Sequence, residues 1–339
     1  MRASICTVLM AASLLVMPGS AKLKADSGKV VIKISTIQTR TPELSLQEKR
    51  ANEKLAKATG GRIQMRFFYG GTQGDDKTAM RKMRAGQIDA APLGVDVVTQ
   101  VARQCTVLMM PQTFTNWAQV DAVREALTPE FDKEAYDNGF KVLGWFDLGQ
   151  ARIFSKKPIR NFDDLRNGRP WLYPENAPLH EFYKMINATG IPLDLSEVYG
   201  GLMTNMIDTV WISPLLGAQL SWVSKTQYVS SMPAAVIQGA FLLRRQLWES
   251  FSKEDQEAVT RVMQQQFEEN RKQYREADVK IYNKLLTRGY KAIDFDNPKE
   301  WQDIGRKIAQ SLVGRSYSQE IFDRVQKIVK EHPDSKSRS

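Results

Sequence analysis

The chain has 339 residues, 42% hydrophobic and 25% charged, enough apolar content for sizeable cores and, at roughly 150 residues per domain, for two domains. Its formal charge of +10, from 48 Lys and Arg against 38 Asp and Glu, is spread along the sequence rather than gathered into a block. With only two cysteines (Cys6, Cys105) and two histidines (His180, His332), the chain is excluded from Cys/His zinc clusters, disulfide scaffolds and histidine-based multi-metal sites, and no cofactor is expected.

Arg2 precedes an apolar run over residues 5–16, followed by Pro18, Gly19, Ser20 and Ala21. A charged start, a short apolar stretch and small residues read as a secretory leader, residues 1–21 or 1–25, cut after Ala21 or Ala25. The run falls short of the ~20 apolar residues a membrane span needs. Export to the periplasm is therefore expected, with Cys105 the one thiol left.

Residues 30–35 read as a short strand. Thr41 then caps a helix with Pro42 in its first turn, and Gly60-Gly61 ends it. Ile63, Met65 and Phe67 alternate with polar residues as in a half-buried strand. A glycine-rich loop follows, and Asp75 opens a helix to Gly86, with a strand at residues 88–93. This alternation predicts βαβ units and a largely parallel sheet. Further strands are expected at residues 141–146, 171–173 and 207–212, and helices at 178–189 and 196–205. Ser252-Lys253-Glu254-Asp255 looks like a capping box. It opens a helical pattern free of Pro and Gly until Gly289, about 54 Å long at 1.5 Å per residue and long enough to brace two domains. Residues 333–339 read as a frayed tail.

Catalytic motifs are absent: there is no Gly-x-Ser-x-Gly, no Walker lysine after the residue 70–74 loop and no Gly-x-Gly-x-x-Gly. His180 and His332 sit in polar contexts, and Cys105 lies among apolar neighbours as a packed thiol. Asp75-Asp76 and Asp163-Asp164 each begin a helix and read as capping carboxylates. The mixed-sign charges of the long helix, Arg271 among them, read as a solvated face, so nucleic acid is not an expected partner. What remains is an exported α/β protein without catalytic apparatus, the description of a receptor that closes around a small molecule.

Gly60-Gly61-Arg62-Ile63, Gly74-Asp75-Asp76, Gly86-Gln87-Ile88-Asp89, Lys157-Pro158-Ile159-Arg160, Asp163-Asp164-Leu165, Ser196-Glu197-Val198-Tyr199 and Ser252-Lys253-Glu254-Asp255-Gln256, in this order and spacing, resemble the substrate-binding proteins of TRAP (tripartite ATP-independent periplasmic) transporters, of the C4-dicarboxylate-receptor type. The resemblance runs from Val30 to about Val329. It implies a two-lobed periplasmic-binding-protein fold of the α/β class, with hinge strands, a cleft between lobes and one long helix across both. It also implies delivery to TRAP membrane permease subunits, driven by an ion gradient. The lobes are expected at residues 26–148 plus about 239–270, and at 149–238 plus about 271–330 with the C-terminal helices.

The resemblance implies an arginine where this chain has Trp171, a second at Ala151, a ligand-binding asparagine at Ile212 and an aromatic residue at Leu195. Burying a carboxylate among such side chains without a cation would cost several kcal/mol. The expected cargo is therefore hydrophobic or amphipathic. It would be lined by Ile37, Gln38 and Gly94 on one lobe and by Trp171, Tyr173, Leu195, Trp211 and Ile212 on the other, with Ala151 and Arg152 near the hinge. Trp145 and Trp222 offer further flat faces, and Trp171→Ala is expected to weaken binding without unfolding the lobe. The pattern is also similar to a TRAP branch that works with a tetratricopeptide-repeat periplasmic partner. Three rival readings stand beside it: an organic-acid receptor using Arg152 or Arg169 as its clamp, an extracytoplasmic sensor module, and a secreted enzyme on the same scaffold.

Overall fold

The computed structural model describes residues 29–333; the leader and the end of the tail lie outside the described residues. The strands are β1 (Val30–Ser35), β2 (Ile63–Phe68), β3 (Ala90–Gly94), β4 (Phe140–Ser155), β5 (Trp171–Leu172), β6 (Ile191–Pro192), β7 (Thr209–Ile212), β8 (Tyr228–Ser230), β9 (Ala235–Arg244) and β10 (Lys291–Ile293). The helices are α1 (Pro42–Ala58), α2 (Asp76–Arg84), α3 (Val95–Val98), α4 (Trp117–Asp137), α5 (Phe162–Arg166), α6 (Ala177–Met185), α7 (Val198–Met203), α8 (Pro214–Gln219), α9 (Arg245–Ser250), α10 (Lys253–Thr287), α11 (Pro298–Ser311) and α12 (Gln319–Glu331).

Local chemistry sets the element ends. Thr41 accepts the Leu44 N–H at 3.1 Å, and α1 stops where Gly60 and Gly61 take φ of 58° and 79°, a region open to glycine at little cost. Asn161 and Asp164 make a reciprocal capping box on α5. On α10 Ser252 accepts the Asp255 N–H at 3.1 Å. The expected return bond from Asp255 is replaced by an ion pair to Arg62 at 2.8 Å. A guanidinium is a stronger partner for that carboxylate than one backbone N–H.

The main sheet runs β10-β8-β4-β9-β3-β1-β2, with β7 on β4. It is mixed, not largely parallel. The pairs β1–β2, β1–β3 and β8–β10 are parallel, whereas β9 lies antiparallel to β3 and β4, and β7 and β8 lie antiparallel to β4. The helix-linked N-terminal units make parallel pairs, and the long return strands β4 and β9 reverse the direction.

β4 organises the molecule. Its residues from Phe140 to Ala151 pair with β9, and those from Arg152 to Ser155 pair with β7 and β8. One 16-residue strand thus belongs to two regions of sheet. The expectation of a strand ending at residue 146 was too short. α10 has 35 residues, about 52 Å, and packs on β4, on α1 of the first region and on α8 of the second. Two apolar cores result. One joins Ile32, Ile34, Leu55, Ile63, Phe241 and Leu243 to Val259 and Met263 of α10; the larger contains Phe131, Trp145, Trp171, Phe182 and Trp301.

Candidate functional site

A cavity of about 240 Å³ lies where the two sheet regions meet, under α10. Residues after β1 (Thr36, Ile37, Gln38), Asp76 of α2, Gly94 of β3 and Asp96 of α3 line one side. Trp171, Tyr173, Leu179, Phe182, Leu195, Trp211 and Ile212 line the other, and Phe146, Asp147 and Ala151 of β4 form the floor. A smaller cavity of about 120 Å³ adjoins it and shares Thr36, Gln38, Pro92, Phe267, Asn270 and Tyr274.

Nine sequence-derived candidates line the main cavity: Ile37, Gln38, Gly94, Ala151, Trp171, Tyr173, Leu195, Trp211 and Ile212. Arg152 does not. Side chains alternate along a strand, so with Ala151 turned to the cavity Arg152 turns away. Its guanidinium lies 4.1 Å from the Tyr282 ring centroid and donates to the Ser230 carbonyl at 3.0 Å and to that of Ser231. Arg169 is also elsewhere. Asp208 accepts its backbone N–H at 2.9 Å and faces its Nε at 3.6 Å, and its side chain is half-exposed. Trp145 and Trp222 pack inside: the Trp145 indole donates to Asp132 at 2.9 Å, and Trp222 stands edge-on to Trp171 with centroids 5.2 Å apart.

The aromatic walls present their faces because their polar edges are bonded within the protein. Trp171 Nε1 donates to the Leu193 carbonyl at 2.8 Å, Trp211 Nε1 to Tyr183 Oη at 2.8 Å, and Tyr183 Oη to the Trp171 carbonyl at 2.9 Å. Trp171 and Tyr173 are stacked at 5.7 Å. The far side of the cavity is polar. Asp147, 1% exposed, takes Arg124 at 2.6 Å and Arg275 at 2.6 Å, and both arginines also reach Asp121, at 2.7 and 2.6 Å.

Sequence reasoning missed several lining residues. Phe267, Asn270, Arg271 and Tyr274 all face the cavity from α10, and their i, i+3, i+4, i+7 spacing was the available signal for one helix face. The half-buried Arg271 has no ion pair among the described residues, and its Nε is buried without a hydrogen-bond partner. Burial, with Arg124 next in weight, pulls the guanidinium below its ordinary pKa. Asp75 caps α2 as expected, accepting the Thr78 N–H at 2.9 Å, but Asp76 does not cap. It is buried and accepts the Gly94 N–H at 2.9 Å across the cavity wall. Burial raises Asp76 to about 7 and Asp96 to about 6.

Several bonds cross from one side of the cavity to the other. Asn176 donates to Asp96 at 2.6 Å, Gln38 to Gln219 at 3.3 Å and Gln100 to Glu175 at 3.2 Å, and Lys77 pairs with Glu175 at 3.1 Å.

Such a cavity between two sheet regions, spanned by a bracing helix, defines a periplasmic-binding-protein fold that takes a small solute. The chain matches, over residues 36–316, the family described as bacterial extracellular solute-binding protein, family 7, and belongs to it: a TRAP-type solute-binding protein, not an enzyme. It is 23% identical over 286 residues to the 2,3-diketo-L-gulonate-binding periplasmic protein YiaO of Escherichia coli K12, covering 81% of this chain and 84% of that protein. It is 27% identical over 209 residues to the C4-dicarboxylate-binding periplasmic protein DctP of Vibrio cholerae, covering 60% and 61%. The fold matches a TRAP solute-binding protein of Xanthobacter autotrophicus Py2 solved with β-D-galacturonate. The TM-score is 0.81 at 18% identity, over 88% of this chain and 99% of that one.

Proposed function

We propose that the protein is an exported TRAP receptor whose cargo is a small organic acid, with Arg271 as the group that meets the carboxylate. Arg271 carries this reading. A guanidinium that faces a cavity, with a buried Nε lacking a hydrogen-bond partner and with Asp121 and Asp147 acting on it only from beyond ion-pair distance, is poised to pair with an anion. The charge balance agrees, since the two carboxylates Asp121 and Asp147 are already engaged by Arg124 and Arg275. Arg271 then does from α10 what the resemblance assigns to an arginine at the Trp171 position. Relatives support the class: YiaO is named for a sugar acid and DctP for C4-dicarboxylates, and structural neighbours hold D-glucuronate and L-gulonate. The expectation of a hydrophobic or amphipathic cargo has no such support, and the tetratricopeptide-repeat partner that went with it is not carried forward.

The ligand would sit between two lobes, residues 26–148 with about 239–270 and residues 149–238 with about 271–330, its body against Trp171, Leu195, Trp211 and Ile212. The lobes would close on it, and the loaded receptor would dock on a permease in the membrane facing the periplasm. Mass spectrometry of the natively purified protein, followed by calorimetry with D-glucuronate, L-gulonate and succinate, tests this. A bound acid whose affinity falls about 10- to 100-fold in Arg271→Gln supports the reading, by the loss of one charge-assisted pair. An extracted neutral lipid-like compound, indifferent to Arg271, would overturn it.

A further inference from the structure

We infer that Asp76, Asp96 and Tyr173 form a second polar subsite in the same cavity, and that this subsite receives an ammonium group of the cargo. The inference rests on the organic-acid reading only for the other end of the ligand; together they make the cargo a zwitterion.

Three observations converge. First, both carboxyl groups line the cavity, and an atom standing off Cα of Gly94 would lie 3.6 Å from Oδ2 of Asp76 and 3.6 Å from Oδ2 of Asp96. The two oxygens therefore lie on either side of one small spot at Gly94, whose N–H the Asp76 oxygen accepts at 2.9 Å. Second, neither has a cation among the described residues. Lys77, beside Asp76 on α2, is drawn instead to Glu175 at 3.1 Å and Asp194 at 4.0 Å. Third, the Tyr173 side chain is 4% exposed, lines the same cavity, and its hydroxyl is buried without a hydrogen-bond partner. Asp76 and Asp96 both act on this phenol, adding to the burial that pushes its pKa up.

A buried carboxylate (Asp76), a half-buried one (Asp96) and a buried phenol oxygen make three acceptors and a local charge deficit. A ligand hydroxyl supplies one donor and no charge. A primary ammonium supplies three donors, one for each acceptor, and one positive charge, which balances one of the two carboxylates. The chemistry at rest agrees. Without a cation, Asp76 and Asp96 hold protons to about 7 and about 6, burial being the main cause in both. The charged groups facing Asp76 are Asp75 and Asp96, and those facing Asp96 are Glu175 and Asp76, all of one sign. An arriving ammonium would displace one of those protons and leave the other carboxyl group neutral. Because Asp76 and Asp96 come from α2 and α3, and Tyr173 follows β5 on the opposite wall, one ammonium would bridge both sides.

The test is a calorimetric and thermal-shift panel on the mature chain. It compares 4-aminobutyrate, 6-aminohexanoate and 4-(aminomethyl)benzoate with butyrate, hexanoate and 4-methylbenzoate, and with butylamine, hexylamine and 4-methylbenzylamine. The expected result is at least one amino acid binding tenfold or more tightly than its nitrogen-free acid. That margin should shrink in Asp96→Asn and Tyr173→Phe, and proton release on binding should appear as an enthalpy that varies with buffer ionisation. Tyr173→Phe removes one oxygen and keeps the stacked ring, so it serves if Asp96→Asn fails to fold. No ammonium-dependent margin anywhere in the panel overturns the subsite. In that case nitrogen-free acids that still bind, and lose affinity in Arg271→Gln, leave the organic-acid reading standing. Amines that bind while the acids do not would overturn that reading and keep the subsite.

Discussion

Asp278 of α10 accepts two backbone N–H groups at once, from Gln150 on β4 at 3.0 Å and from Leu215 at the start of α8 at 2.9 Å. One carboxylate thus pins the long helix to the strand that joins the two sheet regions. Gly149 makes room for it: its φ is +102°, and a Cβ there would lie 2.4 Å from Asp278.

Removing this pin should destabilise the fold. Asp278→Ala removes the partner of two half-buried N–H groups, at about 1 kcal/mol each. Gly149→Ala adds left-handed backbone strain of about 1–3 kcal/mol to the clash. Urea unfolding of both variants measures the losses; a wild-type midpoint for either would show that α10 is held by other contacts.

Stability should have an acid optimum. Asp76, Asp96 and Asp132 have pKa values raised to about 7, 6 and 6, burial being the first cause in each. Unfolded carboxylates titrate near ~4, so the native state binds more protons between the two values. Native stability therefore falls as pH rises from ~4 to ~7, by at least about 2 kcal/mol. The limb below ~4 has the opposite sign, because Asp121 and Asp255 are held below their usual range by Arg275 and Arg62. Thermal midpoints of the ligand-free protein from pH 3 to pH 8 check both limbs, and Asp132→Asn should flatten the upper one.

Arg271 should cost the ligand-free protein stability. Replacing a half-buried charge that has no partner with an apolar side chain of similar length is commonly neutral or favourable. Arg271→Met should keep or raise the midpoint, by up to about 1 kcal/mol, while acid binding drops. A large loss of stability would mean that Arg271 is a structural cation.

Trp171→Ala should not leave the fold intact, contrary to the expectation from sequence. Trp171 is 4% exposed, donates to Leu193 and packs on Tyr173 and Trp222, so truncation should cost about 3–5 kcal/mol. Trp171→Phe, which loses the bond but keeps a ring, is the better probe of binding. Chemical denaturation of the two variants side by side would show the difference.

How much of this was legible can be read from β4 and α10. The ends of α1 and α10 followed from Thr41, Gly60 and Ser252, because caps and glycines act locally. β4 was read only to residue 146, through Gly144 but short of Gly149. In the fold these two glycines are its seats for α10: a Cβ at Gly144 would meet Phe267 at 2.1 Å, and one at Gly149 would meet Asp278 at 2.4 Å. The five residue steps from Gly144 to Gly149 span about 16.5 Å, and the eleven steps from Phe267 to Asp278 rise about the same. That match is a tertiary property, invisible in either segment alone.

The site was half legible for the same reason. The candidates that line it came from an ordered family pattern, whereas Arg152 and Arg169 failed on which way a side chain turns. Asp76 was hidden beside a true cap, one residue and ~100° around the helix from Asp75. Arg271 was hidden in a charge run that is solvated at most of its other positions.

A strand shared by both sheet regions and riveted to a rigid rod at Gly144 and Gly149 has a mechanical meaning. The two halves cannot slide past one another or separate without tearing backbone hydrogen bonds. The irregular register between Asp147 and Gly149 is where a twist of one half against the other, as on a torsion bar, would break fewest of them. On the proposed reading, capture would reduce to a single angle, which a partner could gauge without touching the cargo.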